Sequence, residues 1–217
     1  MMIRRFLCCL TTAILMLAAL PAAADDTAAR FDFYVLSLSW SPTYCASPKG
    51  KDSKEQCGPE KKFAFIVHGL WPQNENDYPQ SCATTEPRRV PETLGRAYFD
   101  IMPSMGLIGH EWRKHGSCSG LGQKAYFDKT RAAFEKIRLP AGIVTATTAQ
   151  TFTADQIEQS FIRDNPGLGA SSIAVSCERN QLEEVRICMS KDLAFRPCAE
   201  VDRKGCSLNR ITVPPAR

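Results

Sequence analysis

Three histidines make up the whole imidazole complement of this 217-residue chain, and they fall in two short segments. His68 stands in His68-Gly69-Leu70-Trp71-Pro72; His110 and His115 stand in His110-Glu111-Trp112-Arg113-Lys114-His115-Gly116. A lone histidine is ordinarily a satisfied surface or core residue. Three confined to two dense segments point to shared work, because imidazole, with an unperturbed pKa of about 6.5, passes protons in both directions near neutrality. If 108–115 is helical, residues four apart share a face, which puts Glu111 beside His115 and His110 beside Lys114. His110 and His115 are five apart and roughly 140° around the helix from each other. They make a poor metal chelate, unlike histidines four apart on one face. The segment therefore offers a carboxylate, an ammonium and imidazoles, which is equipment for acid–base catalysis around an anion.

Other chemistries find less in the sequence. No Gly-x-Ser-x-Gly elbow and no Gly-rich phosphate loop occurs, so neither a serine nucleophile nor a nucleotide cofactor is expected. The cysteines include no Cys-x-x-Cys and their spacings form no zinc ribbon or finger, so no zinc site is expected either. A nucleophile carried by the substrate fits better. RNA carries one in its 2′-hydroxyl, next to a phosphodiester.

The elements that must position these groups are legible as patterns. Phe31–Trp40 is rich in β-formers and stops at Ser41-Pro42, a strand. Lys61–His68 is a second strand candidate, ended by Gly69, with a charged loop, Lys49–Lys62, before it. Gln73–Pro91 is polar, contains prolines and reads as a long surface loop. Helical spacing predicts helices over Glu92–Met102, Lys124–Arg138 and Thr153–Asp164, the last with Thr153 as N-cap. Strands return at Ser171–Cys177 and Glu183–Met189, and Ile211–Val213 is a short third. Trp40 and Trp112 read as core, Arg113 as a solvated charge, and Tyr78 as a candidate ring at the site that the pattern does not place.

Met1–Ala24 reads as an export signal, with Arg4 and Arg5, an apolar run Phe6–Leu20 and Ala22-Ala23-Ala24 as a cleavage site. No later run is as apolar, so no membrane span is expected. The remaining 25–217 suits a single domain. Net charge is +4, falling to +2 without the two leader arginines. A broad phosphate footprint would need a more basic chain, so polyanion recognition must be local. Beyond Cys8 and Cys9 lie eight cysteines, an even number that behind an export signal implies disulfides formed in the periplasm or outside the cell.

The HGLWP segment at His68–Pro72 and HEWRKHGSC at His110–Cys118 resemble the two active-site segments of the ribonuclease T2 family of secreted ribonucleases. Leu38–Cys45 (LSWSPTYC) and the downstream cysteines extend the resemblance over most of the chain. It implies an α+β fold with a central antiparallel sheet flanked by helices, and an exported endoribonuclease acting on single-stranded RNA as a monomer, with no metal or other cofactor. By motif position, His115 corresponds to the general base and His68 to the general acid. Glu111 and Lys114 would stabilise the pentacovalent phosphorane, His110 would hold the phosphate and Trp71 would stack on the base. The resemblance also implies bridges Cys45–Cys57, Cys82–Cys118, Cys177–Cys206 and Cys188–Cys198. Many relatives carry an acidic residue directly after HGLWP; Gln73 stands there, which implies weak discrimination between bases. A secreted binding or inhibitory protein on the same fold, without turnover, is the alternative from a different functional class.

Overall fold

The computed structural model describes residues 27–216, and the expected leader lies outside them. Strand β1 (Phe33–Trp40) leads into three short helices, α1 (Ser41–Ala46), α2 (Pro48–Lys51) and α3 (Lys54–Cys57), before β2 (Phe65–Gln73). Helices α4 (Glu92–Arg96), α5 (Met105–Lys114), α6 (Gln123–Glu135) and α7 (Ala141–Val144) follow. The chain ends with β3 (Gln150–Phe152), α8 (Ala154–Asp164), β4 (Ile173–Glu178), β5 (Gln181–Met189), α9 (Ala199–Arg203) and β6 (Ile211–Val213). The sheet order is β2-β1-β5-β6-β3, with β4 also on β5. All its pairs are antiparallel except β5 with β6, which meet in parallel at Gln181 and Thr212. The fold is α+β, with a sheet flanked by helices and four disulfides.

Several elements differ from the sequence expectations. The predicted loop 49–62 contains α2 and α3, the former capped by the Ser47 hydroxyl accepting from Gly50 N. The predicted helix 92–102 is regular only to Arg96, after which it tightens into turns that still bury Tyr98, Ile101 and Met102. Gly95 packs so close to Met105 that a Cβ there would lie 2.4 Å from its sulfur. The capping box of α8 is present in full, Thr153 and Gln156 exchanging side-chain and backbone hydrogen bonds.

Strand β2 matters most for function, because it does not end at Gly69. It runs through the whole HGLWP segment to Gln73, pairing with β1 throughout. Pro72, which locally reads as a breaker, is tolerated because β2 is the edge strand of the sheet. The ladder is interrupted once: Ser37 pairs with Gly69 and Leu38 with Val67, which leaves His68 as an extra residue without a partner. This bulge lets Val67 and Phe65 face the main core with Leu70 although Gly69 and Trp71 face the opposite side.

The main core lies between that inner sheet face and the helices. Trp40 and Trp112 are enclosed in it, their indole nitrogens donating to Pro214 O at 3.0 Å and Pro87 O at 2.9 Å. The Tyr126 hydroxyl on α6 donates to Leu70 O at 2.9 Å, fixing β2 to the helical layer. The long loop 74–91 follows the surface as expected but is pinned at Pro87, whose carbonyl also accepts from Gln123 Nε2 at 2.6 Å. Bridges Cys45–Cys57, Cys82–Cys118, Cys177–Cys206 and Cys188–Cys198 all form, the pairing implied by the family resemblance.

Candidate active site

Helix α5 begins at Ser104, whose hydroxyl accepts from Leu107 N at 3.1 Å, and buries Ile108 and Trp112 while turning Glu111 toward β2. Glu111 reaches β2 because residue 69 has no side chain. A Cβ there would lie 1.9 Å from Glu111 Oε2 and 2.4 Å from Trp71 Nε1. Across this gap the Trp71 indole donates to Glu111 Oε2 at 2.8 Å. The other carboxylate oxygen, Oε1, lies 3.6 Å from His68 Nε2 and 4.0 Å from His110 Nε2.

The sequence places Glu111 beside His115; the structure instead directs Glu111 to His68 and Trp71. The helix ends at Lys114, so His115 is its C-cap, with φ −117° and ψ −48°. Its ring stacks on Trp71, 5.1 Å between centroids at 27°. His68 approaches the same indole edge-on, at 5.3 Å and 79°. One tryptophan thus brings together two histidines that are 47 positions apart. Bridge Cys82–Cys118 and the hydrogen bond Ser81 N to Lys114 O, 2.7 Å, hold the end of α5 against the loop that follows β2.

His68, Trp71, Gln73, His110, Glu111, Lys114 and His115 all line one cleft of about 370 Å³. Gln73, the last residue of β2, is largely buried in its wall. Tyr78, 44% exposed, lines it too, its ring 6.3 Å from His115. Arg113 is exposed and outside that cleft.

Among the cleft residues that escaped the sequence reading, Glu184 and Arg186 on β5 bear most directly on His68. Glu184 Oε1 is hydrogen-bonded to His68 Nδ1 and accepts from Ser39 Oγ at 3.3 Å. Arg186 donates to Glu184 Oε2 from Nε at 3.0 Å and Nη2 at 2.8 Å, and its guanidinium carbon lies 5.5 Å from the Trp71 ring centre. A signal was present: Val185, Ile187 and Met189 alternate inward, so Glu184 and Arg186 must face the opposite side of the strand. The sequence does not say that β1 sets Ser39 opposite Glu184 and Ser37 opposite both Arg186 and Gly69.

The Ribonuclease T2 family profile matches residues 31–198, a span that contains both histidine segments and β5. This chain belongs to the Ribonuclease T2 family. A protein named probable ribonuclease from Haemophilus influenzae is 34% identical over 186 residues, covering 80% of this chain and 63% of that protein. A ribonuclease from Aeromonas hydrophila is 42% identical over 101 residues, 46% of this chain and 43% of its own length. The chain thus spans less than two thirds of either relative. The solved structure of trichomaglin, described as an S-like ribonuclease, has the same fold, with a TM-score of 0.68 at 22% identity over 85% of this chain and 98% of that one.

Within this member of the Ribonuclease T2 family the two central histidines sit in opposed environments. Burial, assisted by the positive charge of Lys114 and the other two histidines, pushes His115 down to about 3. Burial also acts to lower His68, but the hydrogen bond and charge of Glu184, with the charge of Glu111, outweigh both burial and Arg186 and leave it raised. At neutral pH the first is a free base, while the second is pushed toward its protonated form. Burial raises Glu111 to about 7 against the pull of His68, Trp71 and Lys114. Glu184, although buried, is held at about 2 by His68 and Arg186. His110 is lowered by burial and by Lys114, His68 and Arg113. Glu111 Oε1 and His115 Nδ1 are buried polar atoms with no hydrogen-bond partner among the described residues. A buried imidazole pushed toward its neutral form, a second pushed toward its protonated form and a lysine around one cleft form an arrangement suited to proton transfer beside an anion.

Proposed function

We propose that this protein is an exported endoribonuclease that cleaves single-stranded RNA by transesterification. His115 takes the proton of a 2′-hydroxyl, and the freed oxygen attacks the adjacent phosphorus. As the P–O2′ bond forms, the P–O5′ bond breaks, and His68 passes its Nε2 proton to the departing 5′-oxygen. Lys114 and Glu111 stabilise the pentacovalent phosphorane, and His110 holds a phosphate oxygen. The products are a 2′,3′-cyclic phosphate and a 5′-hydroxyl; water then opens the ring to a 3′-phosphate with the two histidine roles exchanged. The reaction draws its nucleophile from the substrate and its proton transfers from imidazoles, so it needs no metal ion.

The observation that carries this reading is that His115 and His68 meet on one indole in opposed settings, His115 buried and pushed toward its neutral form, His68 hydrogen-bonded to Glu184 and pushed toward its protonated form. Trp71 and Gln73 provide the base-facing surface, with low discrimination between bases, and the chain acts as a monomer. Export through the 1–24 signal to the periplasm or the medium is supported by the four disulfides, which form in oxidising compartments. Among the described residues no helix is long and apolar enough to cross a membrane. The deciding experiment incubates the purified protein with a defined RNA and its DNA counterpart in excess EDTA. RNA fragments with cyclic phosphate ends and intact DNA are expected; 5′-phosphate ends, or cleavage abolished by the chelator, would overturn the reading.

A further inference from the structure

His68 is the extra residue of a bulge in an edge strand, so the ladder of β2 places no neighbour directly across from it. With its side chain 36% exposed, packing alone does not hold the ring in one orientation. The restraint comes from β5, two strands away. Glu184 is 4% exposed and bonds three groups: His68 Nδ1, Ser39 Oγ and the Arg186 guanidinium. The Arg186 end of this chain of contacts returns to the cleft over Trp71, the same ring that His68 and His115 share.

We infer that Glu184, anchored by Arg186 and Ser39, is a positioning residue that fixes the ring of His68 and keeps its transferable proton on Nε2. An ionised carboxylate can only accept, so the bond to Glu184 requires a hydrogen on Nδ1. Nε2 is then the atom left facing Glu111 and the cleft. The charges around His68 come from three sides: Glu184 and Arg186 on β5, with Glu183 beside them; His110, Glu111 and Lys114 on α5; and His115 at its end. Among these, Glu184 is the carboxylate hydrogen-bonded to the ring, and Arg186 is the cation that opposes it. Glu184 touches no reacting atom, and its action on the substrate passes through His68.

The inference rests on the proposed reaction, and its test separates the two. Glu184→Gln keeps an oxygen able to accept from Nδ1 but removes the charge. The pKa of His68, followed by NMR of its ring protons, should fall by about one unit or more, as expected when a close opposite charge is lost. The general acid must be protonated, so activity is lost as pH rises through its pKa. The basic limb of kcat should therefore move to lower pH by the same amount, with KM little changed. Arg186→Gln removes the opposing cation and should move the His68 pKa and the basic limb upward. A general loss of structure cannot produce shifts of opposite sign. An unchanged His68 pKa in Glu184→Gln, or a limb that Arg186→Gln moves downward, would overturn the inference. If the NMR shifts appear but the wild type makes no cyclic phosphate ends, the reaction fails and the role of Glu184 in holding the His68 proton stands.

Discussion

Trp71 Nε1 and Glu111 Oε2 meet at 2.8 Å beside the Cα of Gly69, in space that any other residue at that position would fill. The glycine of HGLWP is thus required by contact between a helix and a strand, with no need for an unusual backbone angle.

Gly69→Ala should place its methyl group within the Glu111 carboxylate and force Glu111 and Trp71 apart. Overpacking of this kind costs about 1–3 kcal/mol. The effect on rate should be larger, about 100-fold in kcat, because a displacement of about 1 Å in a catalytic array has that scale. Urea unfolding and initial rates on one RNA measure the two together. A variant with normal kcat would mean that the Trp71–Glu111 bond does not hold the site.

The rate should trace a bell against pH. Its acid limb belongs to deprotonation of His115, which burial holds at about 3, so it should lie well below neutrality. Its basic limb follows the raised His68. Both limbs are properties of a coupled group that includes Glu111 at about 7. His68→Ala and His115→Ala should each lower kcat by about 10²–10⁴-fold, the scale of a lost general acid or base, and His110→Ala by less. The same shift has a sign for stability. Below about pH 6.5 the unfolded chain binds a proton at His115 that the folded chain refuses down to about 3, so this residue weakens the fold as pH falls through that window. Comparing wild type and His115→Gln by urea unfolding at pH 7 and pH 4 checks it: the variant should lose less stability on acidification.

Replacing both Cys82 and Cys118 by Ala opens a loop of 36 positions and should cost about 2–4 kcal/mol. Activity should fall further than stability predicts, because this bridge holds the segment after β2 to the end of α5, where His115 leaves the helix. Cleavage assays at a temperature where the variant remains folded separate the two effects. Full activity there would show that the bridge contributes stability alone.

What could be read of this site without a structure follows the range over which each signal acts. That His68, Glu111, Lys114 and His115 would share one cleft was legible because imidazole, carboxylate and ammonium groups crowd into two segments, each within or beside one element. The course of β2 was not, because Gly69 and Pro72 read locally as a break and only pairing with β1 at a sheet edge carries the strand through them. The direction of Glu111 was missed because the helix stops one residue short of His115, so fourfold spacing no longer relates their side chains. Glu184 lay beyond reach for a different reason: it meets His68 across 116 positions, through a strand order that periodicity does not encode.

Base preference should be weak, and residue 73 is where it can be changed. Gln73 closes β2, and it lines the cleft together with Val35 and with Glu200 and Lys204 near the ends of α9. A carboxylate at position 73 would only accept hydrogen bonds and would favour bases with an exocyclic amino group. The amide of Gln73 both donates and accepts, and it can present either edge. Under the proposed reaction, stacking on Trp71 and Tyr78, which line the cleft, would supply most of the base affinity, and every base offers a π-face for it. The wild type should cleave the four homopolymers at rates within about a factor of ten, about 1.4 kcal/mol of transition-state discrimination. Gln73→Asp should raise the rate on adenine-, cytosine- and guanine-containing chains relative to uracil, because uracil alone lacks the amino donor. Initial rates on the four homopolymers for both proteins decide the matter. A wild type sharply specific for one base, or a Gln73→Asp variant with the same profile as the wild type, would mean that residue 73 does not read the base and would direct attention to Glu200, a carboxylate that lines the same cleft from α9.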